Sequence, residues 1–227
     1  MNPVLILTHN CLELTKRCIA SVERQDIPTE LMVIDNDSTD GTREWLRESG
    51  IEHISYPQNR GVSVGWNDGL HILFAKGAEH VLVIGNDTFL TAPFYRLLLG
   101  LELPFVTGVA VGNMEQLYQP PTITPLEPRP DFSAFLIRKE CWETVGTFDE
   151  RMKSYAGDCD FHIRAHRLGV PLWKAAIPFY HERSSTVRLA PVDEQQEIYL
   201  QAHNDRMFFK SVYGCVPGDE QYENIFK

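Results

Sequence analysis

Four short polar clusters each follow an apolar run in the first half of the chain: Thr8-His9-Asn10, Asp35-Asn36-Asp37, Gln58-Asn59-Arg60-Gly61 and Asn86-Asp87-Thr88. Taken singly, each reads as a turn, because Asn, Asp and Ser cap helices and supply the side-chain bonds that turns use. Repeated at the same place in successive units, they point to a binding edge instead. Asp87 offers a carboxylate able to hold a divalent cation, and a hard cation so held takes phosphate oxygens as further ligands. Such a group would stabilise a departing nucleoside diphosphate. Further along, Asp158 and Asp160 stand two residues apart at the start of a helical pattern. Carboxylates there cap the helix or favour its dipole. The glycine-rich cradles of dinucleotide-binding and P-loop proteins are absent.

Apolar periodicity predicts the elements that must position these residues. Strands are expected over Pro3–Leu7, Leu31–Ile34, His53–Tyr56 and Val81–Ile84. Between them fall a helix through Leu14, Cys18, Ile19 and Val22, a short helix over Thr42–Ser49, and a longer one over Val62–Lys76 that Gly77 ends. Strand and helix in alternation imply an α/β fold with a mostly parallel central sheet flanked by helices, and ligands at the carboxyl ends of the strands. After a strand over Phe105–Val111 the pattern changes. Pro120, Pro121, Pro125, Pro128 and Pro130 make Asn113–Asp131 a long loop, of the kind that serves as a lid or binding loop. A strand over Ser133–Ile137, helices over Lys139–Val145 and Asp158–Leu168, and a strand over Leu172–Ile177 follow. Val192–Tyr213 then reads as one long helix with Ile198, Ala202 and Phe209 on one face.

The chain has 227 residues, 43% of them hydrophobic, which is enough for a real core. A net charge of -10 and a pI near 5.2 oppose bulk attraction to nucleic acid or anionic lipid. No apolar run approaches the roughly 20 residues of a membrane helix, and Met1–Leu7 is too short for a signal peptide, so a cytoplasmic location is expected. Five cysteines, odd in number and without a C-x-x-C pair, read as reduced thiols.

The segments Val4-Leu5-Ile6-Leu7-Thr8-His9-Asn10, Val33 to Thr42, and Asn59-Arg60-Gly61 with Asn67 resemble the family 2 glycosyltransferases. Ser133 to Arg138, Val145-Gly146-Thr147-Phe148-Asp149-Glu150 and Asp158-Cys159-Asp160-Phe161 match the same family in the same order, so the resemblance runs from about Pro3 to Ser185. The subgroup it looks most like includes rhamnosyltransferase-like enzymes. The resemblance implies the A-type (GT-A) nucleotide-diphospho-sugar transferase fold, a nucleotide-diphosphate sugar donor, Mn²⁺ or Mg²⁺, and inversion at the anomeric carbon. By the same resemblance, residues 1–190 form the glycosyltransferase domain, with a nucleotide-binding half over 1–111 and an acceptor and catalytic half over 112–190. Residues 191–227 form a helical extension packed on it.

Carried over residue by residue, the resemblance places Thr8, Asn10, Asn59, Arg60 and Asn67 beside the nucleotide. Asp35 falls at the carboxylate that accepts the base N–H, which suits a UDP or dTDP donor. Asn86-Asp87-Thr88 stands at the family's metal-binding Asp-x-Asp signature, leaving Asp87 as the ligand, and His181 matches the histidine that completes the site. Asp158 matches the general base, although the family's preceding Glu is Gly157 here. Arg183 and Arg188 are available to the diphosphate, and Asn204-Asp205-Arg206 with Phe208 and Phe209 is similar to the subgroup's C-terminal helix. The acceptor is expected to be a glycan, a lipid-linked sugar or another hydroxyl, a modified DNA base among them. Two alternatives compete. A sugar-phosphate nucleotidyltransferase would need a glycine-rich loop where Thr8-His9-Asn10-Cys11 stands, and a non-catalytic nucleotide-sugar or glycan-binding module would keep the fold without turnover.

Overall fold

A computed structural model describes residues 2–113, 122–128, 130–182 and 185–227. The first half builds strand and helix in strict alternation: β1 (Pro3–Thr8), α1 (Leu12–Glu23), β2 (Glu30–Asp35), α2 (Thr42–Glu48), β3 (His53–Ser55), α3 (Val62–Ala75) and β4 (His80–Gly85). A two-residue strand β5 (Thr88–Phe89) and α4 (Phe94–Leu99) lead to β6 (Phe105–Val111). The second half holds β7 (Ile123–Pro125), β8 (Ala134–Arg138), α5 (Lys139–Val145), α6 (Gly157–Arg167) and β9 (Trp173–His181). The chain closes with α7 (Ser185–Leu189), α8 (Val192–Tyr213), α9 (Glu220–Glu223) and a 3₁₀ turn over Asn224–Phe226.

Among the described residues the strands form one sheet in the order β3-β2-β1-β4-β8-β6-β9-β5, with β7 also paired to β9. The expected parallel arrangement holds across β3, β2, β1 and β4. Beyond β4 the sheet is mixed: β8 runs antiparallel to both β4 and β6, and β9 is parallel to β6 but antiparallel to β5 and β7. A fully apolar run reports burial on both faces and carries no signal of strand direction, which is set by the connections.

Side-chain alternation divides the core in two. Leu5, Leu7, Val83, Phe135 and Ile137 face α3, α5 and α6, whereas Val4, Ile6, Ile84, Ala134 and Leu136 face α1, α2 and α4. Burying each such aliphatic chain is worth about 1.5–3 kcal/mol, so a one-residue slip of register would expose a whole face. Helix α3 lies unusually close to β1. A Cβ at Gly65 or Gly69 would fall 2.4 Å from Leu7 or Leu5, so only glycine permits this approach, and it brings the start of α3 up to the end of β1. A third cluster, with Met152, Cys159 and Ile163 against Phe209, Cys215 and Tyr222, seats the C-terminal helices beside α6. No helix among the described residues is long and apolar enough to cross a membrane.

Candidate active site

A cleft of about 740 Å³ opens where β1 and β4 end, within the range of small-molecule sites. Of the residues singled out from sequence, Thr8, Asn59, Asp87, Asp158 and His181 all line it. Asn10 faces an adjoining recess of about 390 Å³ shared with Asp37 and Glu194. Asp35, Arg60 and Asn67 line neither space.

Hydrogen bonds account for that division. Asp35 is fully buried, and its two oxygens accept from Ser38 N–H (3.0 Å) and from Arg43 Nε (2.9 Å), whose other nitrogen donates to the Tyr56 carbonyl. Its carboxylate thus ties the loop after β2 to α2, and it does not face the cleft where a base N–H was expected to meet it. Arg60 lies over the Tyr56 ring and donates to Asp68 (2.9 Å), so its guanidinium is held outside the cleft. Asn67, buried in α3, exchanges bonds with the Phe148 N–H and carbonyl and donates to Glu150 (3.0 Å). It joins two sequence motifs to each other, with both amide protons committed.

The floor of the cleft is built from amides. Asn36 donates to Asn59 Oδ1 (2.8 Å) and accepts from Arg60 N–H (2.8 Å), while its carbonyl meets His9 Nδ1 at 2.7 Å. Asn10, at a left-handed φ of 55°, accepts from Thr39 N–H and donates its own N–H to Ser38. Asn86 shows why the acidic signature is reduced to one carboxylate. Its Nδ2 points at the Thr8 and Thr15 hydroxyls (3.0 Å each) and at the Asn10 carbonyl (3.1 Å). An aspartate there would set a charge against that carbonyl with no proton to donate.

Asp87 and His181 meet at the cleft wall, Oδ2 to Nε2 at 3.3 Å. The β5–β9 ladder makes the encounter, pairing Thr88 with His181 while Glu182 N–H donates to the Asp87 carbonyl. His181 is therefore the last residue of β9, not part of a loop after a shorter strand. Cis ligands of an octahedral ion at about 2.1 Å stand about 3 Å apart, so this oxygen and nitrogen fit one divalent cation. Among the described residues no group of three or more His, Cys, Asp or Glu is placed to hold a metal ion. Arg188 pairs with Glu182 (3.0 Å) outside the cleft, and Arg183 lies outside the described residues.

Asp158 sits in the second position of α6, behind Ala156, which occupies the cap at a left-handed φ of 66°. Its carboxylate accepts from Cys159 N–H (2.8 Å) and faces the cleft. Burial pushes its carboxyl up to about 6, and the charge of Asp131 adds to the rise. Asp131, which sequence reasoning passed over inside the proline-rich segment, also lines the cleft and accepts from Ser133. Asp160 turns away, buried and bonded to Arg164 (2.8 Å) and the Tyr213 hydroxyl (2.6 Å), as expected of a structural carboxylate. A Cβ at Gly157 would lie 2.9 Å from Ser63 Oγ, so a glutamate there would require Ser63, which donates to the Met152 carbonyl, to shift.

The glycosyl transferase family 2 model matches residues 4–146, more than half of the chain. The chain belongs to glycosyl transferase family 2. The uncharacterized protein Rv1525 of Mycobacterium tuberculosis is 26% identical over 186 residues, spanning 74% of this chain and 68% of that protein. Glucosyl-3-phosphoglycerate synthase of M. tuberculosis, solved with Mn²⁺, UDP and glucosyl-3-phosphoglycerate, is similar with a TM-score of 0.64 at 17% identity, covering 96% of this chain and 81% of that one. Mannosyltransferase PcManGT of Pyrobaculum calidifontis, in complex with GDP-Man and Mn²⁺, gives 0.62 at 15% identity over 99% and 67%. S. aureus TarS 1-349 with UDP-GlcNAc gives 0.61 at 15% over 100% and 70%. These likenesses show the shared A-type fold. This glycosyltransferase thus carries its cleft where the fold places the ends of its parallel strands.

Proposed function

We propose that this glycosyltransferase moves a sugar from a nucleotide-diphosphate sugar to an acceptor hydroxyl in one inverting displacement, with Asp158 as the general base. The observation that carries the reading is a carboxylate on the cleft wall whose proton affinity is raised to about 6. A base so poised is ionised at neutral pH and still basic enough to take a proton in the transition state. The acceptor O–H gives its proton to Asp158 Oδ as its oxygen bonds the anomeric carbon. The bond from that carbon to the diphosphate oxygen breaks on the opposite side, and the nucleoside diphosphate leaves.

Thr8 and Asn59, with His9 and Asn36 of the same polar clusters, border the donor, and Asn10 with Asp37 the recess beside it. Asp87 and His181 would hold Mn²⁺ or Mg²⁺, which when bound neutralises the charge that builds on the leaving diphosphate. The Mn²⁺ named with two structurally similar proteins supports that assignment. UDP accompanies two of the similar proteins and GDP-Man another, so a panel must span UDP-, dTDP- and GDP-sugars. Release of nucleoside diphosphate from such a panel with Mn²⁺ tests the reading, and NMR of the product then shows the anomeric configuration. An intact donor across the panel would favour a binding module, and a retained configuration would exclude the single displacement.

A further inference from the structure

Helix α8 carries one polar residue that its apolar face does not explain. Asp205 follows Ile198 and Ala202 and precedes Phe209 at spacings of 4, 3 and 4, yet it is 1% exposed. Its Oδ2 accepts two consecutive backbone amides about fifty residues away, Ser154 N–H at 2.7 Å and Tyr155 N–H at 2.9 Å, while Oδ1 accepts from Gln201 (2.7 Å). Arg206 lies over the Tyr155 ring and Arg151 over Phe208, so two further contacts join the same stretch of helix to this turn. The far side of the turn is fixed as well, by Ser63 Oγ donating to the Met152 carbonyl (2.7 Å) and Val62 N–H to the Lys153 carbonyl (2.6 Å). What the turn leads into is Ala156, strained at φ 66°, then Gly157 and Asp158.

We propose that Asp205 is a positioning residue for Asp158, acting through the Ser154–Tyr155 turn, so that the C-terminal helix is a working part of the catalytic apparatus. Adjacent N–H groups converging on one oxygen make an anion-binding concavity, and filling it from α8 fixes the direction in which α6 begins. Without that acceptor two half-buried amides lose their partner, and the left-handed residue between them and the base is free to relax. A shift of about 1 Å at a reacting group can cost as much as 10²-fold in rate.

The proposal rests on the reading of Asp158 as the base, and its test separates the two. Asp205→Asn keeps an oxygen for both amides if Gln201 turns its own amide, Asp205→Ser keeps a shorter acceptor, and Asp205→Ala keeps none. Turnover is followed as nucleoside diphosphate release from the best donor of the panel, UDP affinity by calorimetry with Mn²⁺, and the Asp158 titration by carboxyl carbon NMR. Asp205→Ala should lose about 10- to 100-fold in kcat with UDP affinity unchanged, Ser should fall between, and Asn should recover most of the rate. The Asp158 midpoint should drop below about 6 in the Ala protein as water reaches the carboxylate. An unmoved midpoint in both the Ala and Ser proteins, or an Asn variant as damaged as Ala, overturns the proposal. If the midpoint moves but Asp158→Asn turns over at full rate, the base reading fails while the positioning stands.

Discussion

Each half of the molecule divides its polar motif residues between frame and cleft, with different partners in each. In the parallel half, Asp35 and Asn67 are buried, line neither the cleft nor the recess beside it, and spend their hydrogen bonds on Ser38 and Arg43 and on Phe148 and Glu150, whereas Thr8, Asn59, Asn86 and Asp87 line the cleft. In the mixed half, Asp160 is spent on Arg164 and Tyr213, whereas Asp131, Asp158 and His181 line the cleft. Recognisable motif residues thus divide into those whose partners are other motif residues, which fix the shape of the loops, and those that still face open volume. Motif membership alone does not separate the two kinds, whereas the satisfaction of each polar atom does.

The largest effect that would sharpen this comparison is expected at Asp158. Asp158→Asn should cut transfer by about 10²–10⁴-fold while nucleotide affinity holds, as steady-state kinetics and calorimetry would show. Its stability should move the other way. Folding raises this carboxyl from 3.8 to about 6, so the stability it contributes is complete below 3.8 and is lost as pH rises through about 6. At pH 7–8 the Asn variant should unfold at or above the wild-type temperature; a clear drop would mark Asp158 as part of the frame.

Next in size is Asp87→Ala. Removing a direct ligand should weaken Mn²⁺ binding in the presence of UDP by at least the roughly 10- to 100-fold that loss of an outer-shell partner costs. Electron paramagnetic resonance reads this without turnover, and unchanged affinity would remove the Asp87–His181 pair from the metal site.

Smaller effects, and of the opposite kind, are expected among the spent residues. Asn67→Ala orphans the buried Phe148 N–H and carbonyl, at about 1–3 kcal/mol for each group left unsatisfied. Thermal unfolding should register the loss, with UDP affinity unaltered. Asp35→Asn should cost less in all, about 1–3 kcal/mol, because its single oxygen leaves one of two donors, Ser38 N–H or Arg43 Nε, facing the amide nitrogen. A tenfold weakening of UDP binding by Asp35→Asn, at constant stability, would show that the Asp35–Arg43 pair opens to the nucleotide and would break the comparison (about 1.4 kcal/mol).

Periodicity made α5 and α8 readable to the residue and most of the first-half elements to within one or two. Short elements escaped because they have no period: β5 is two residues long, and α4 is six residues between Pro93 and Gly100, apolar but for Arg96. Strand β7 lies among prolines, and its backbone pairing with β9 leaves no mark in side-chain pattern. Asp158, Asp87 and His181, which family motifs order along the chain, line the cleft, whereas Asp35 and Asn67, ordered by motifs too, are buried away from it. Their partners Arg43 and Phe148 are fixed only by folding. Asp205 did leave a trace, a carboxylate standing on the apolar face of Ile198, Ala202 and Phe209, where only a buried partner explains it.

The pH dependence of kcat/KM for donor turnover tests the central claim most directly. Because the base must be ionised, the rate should rise with unit slope through a midpoint near 6 and level off above it, and the residual activity of Asp158→Asn should lack that limb. A wild-type rate flat between pH 5 and pH 8, or the same limb surviving in Asp158→Asn, would contradict the assignment of Asp158 as the group that takes the acceptor's proton.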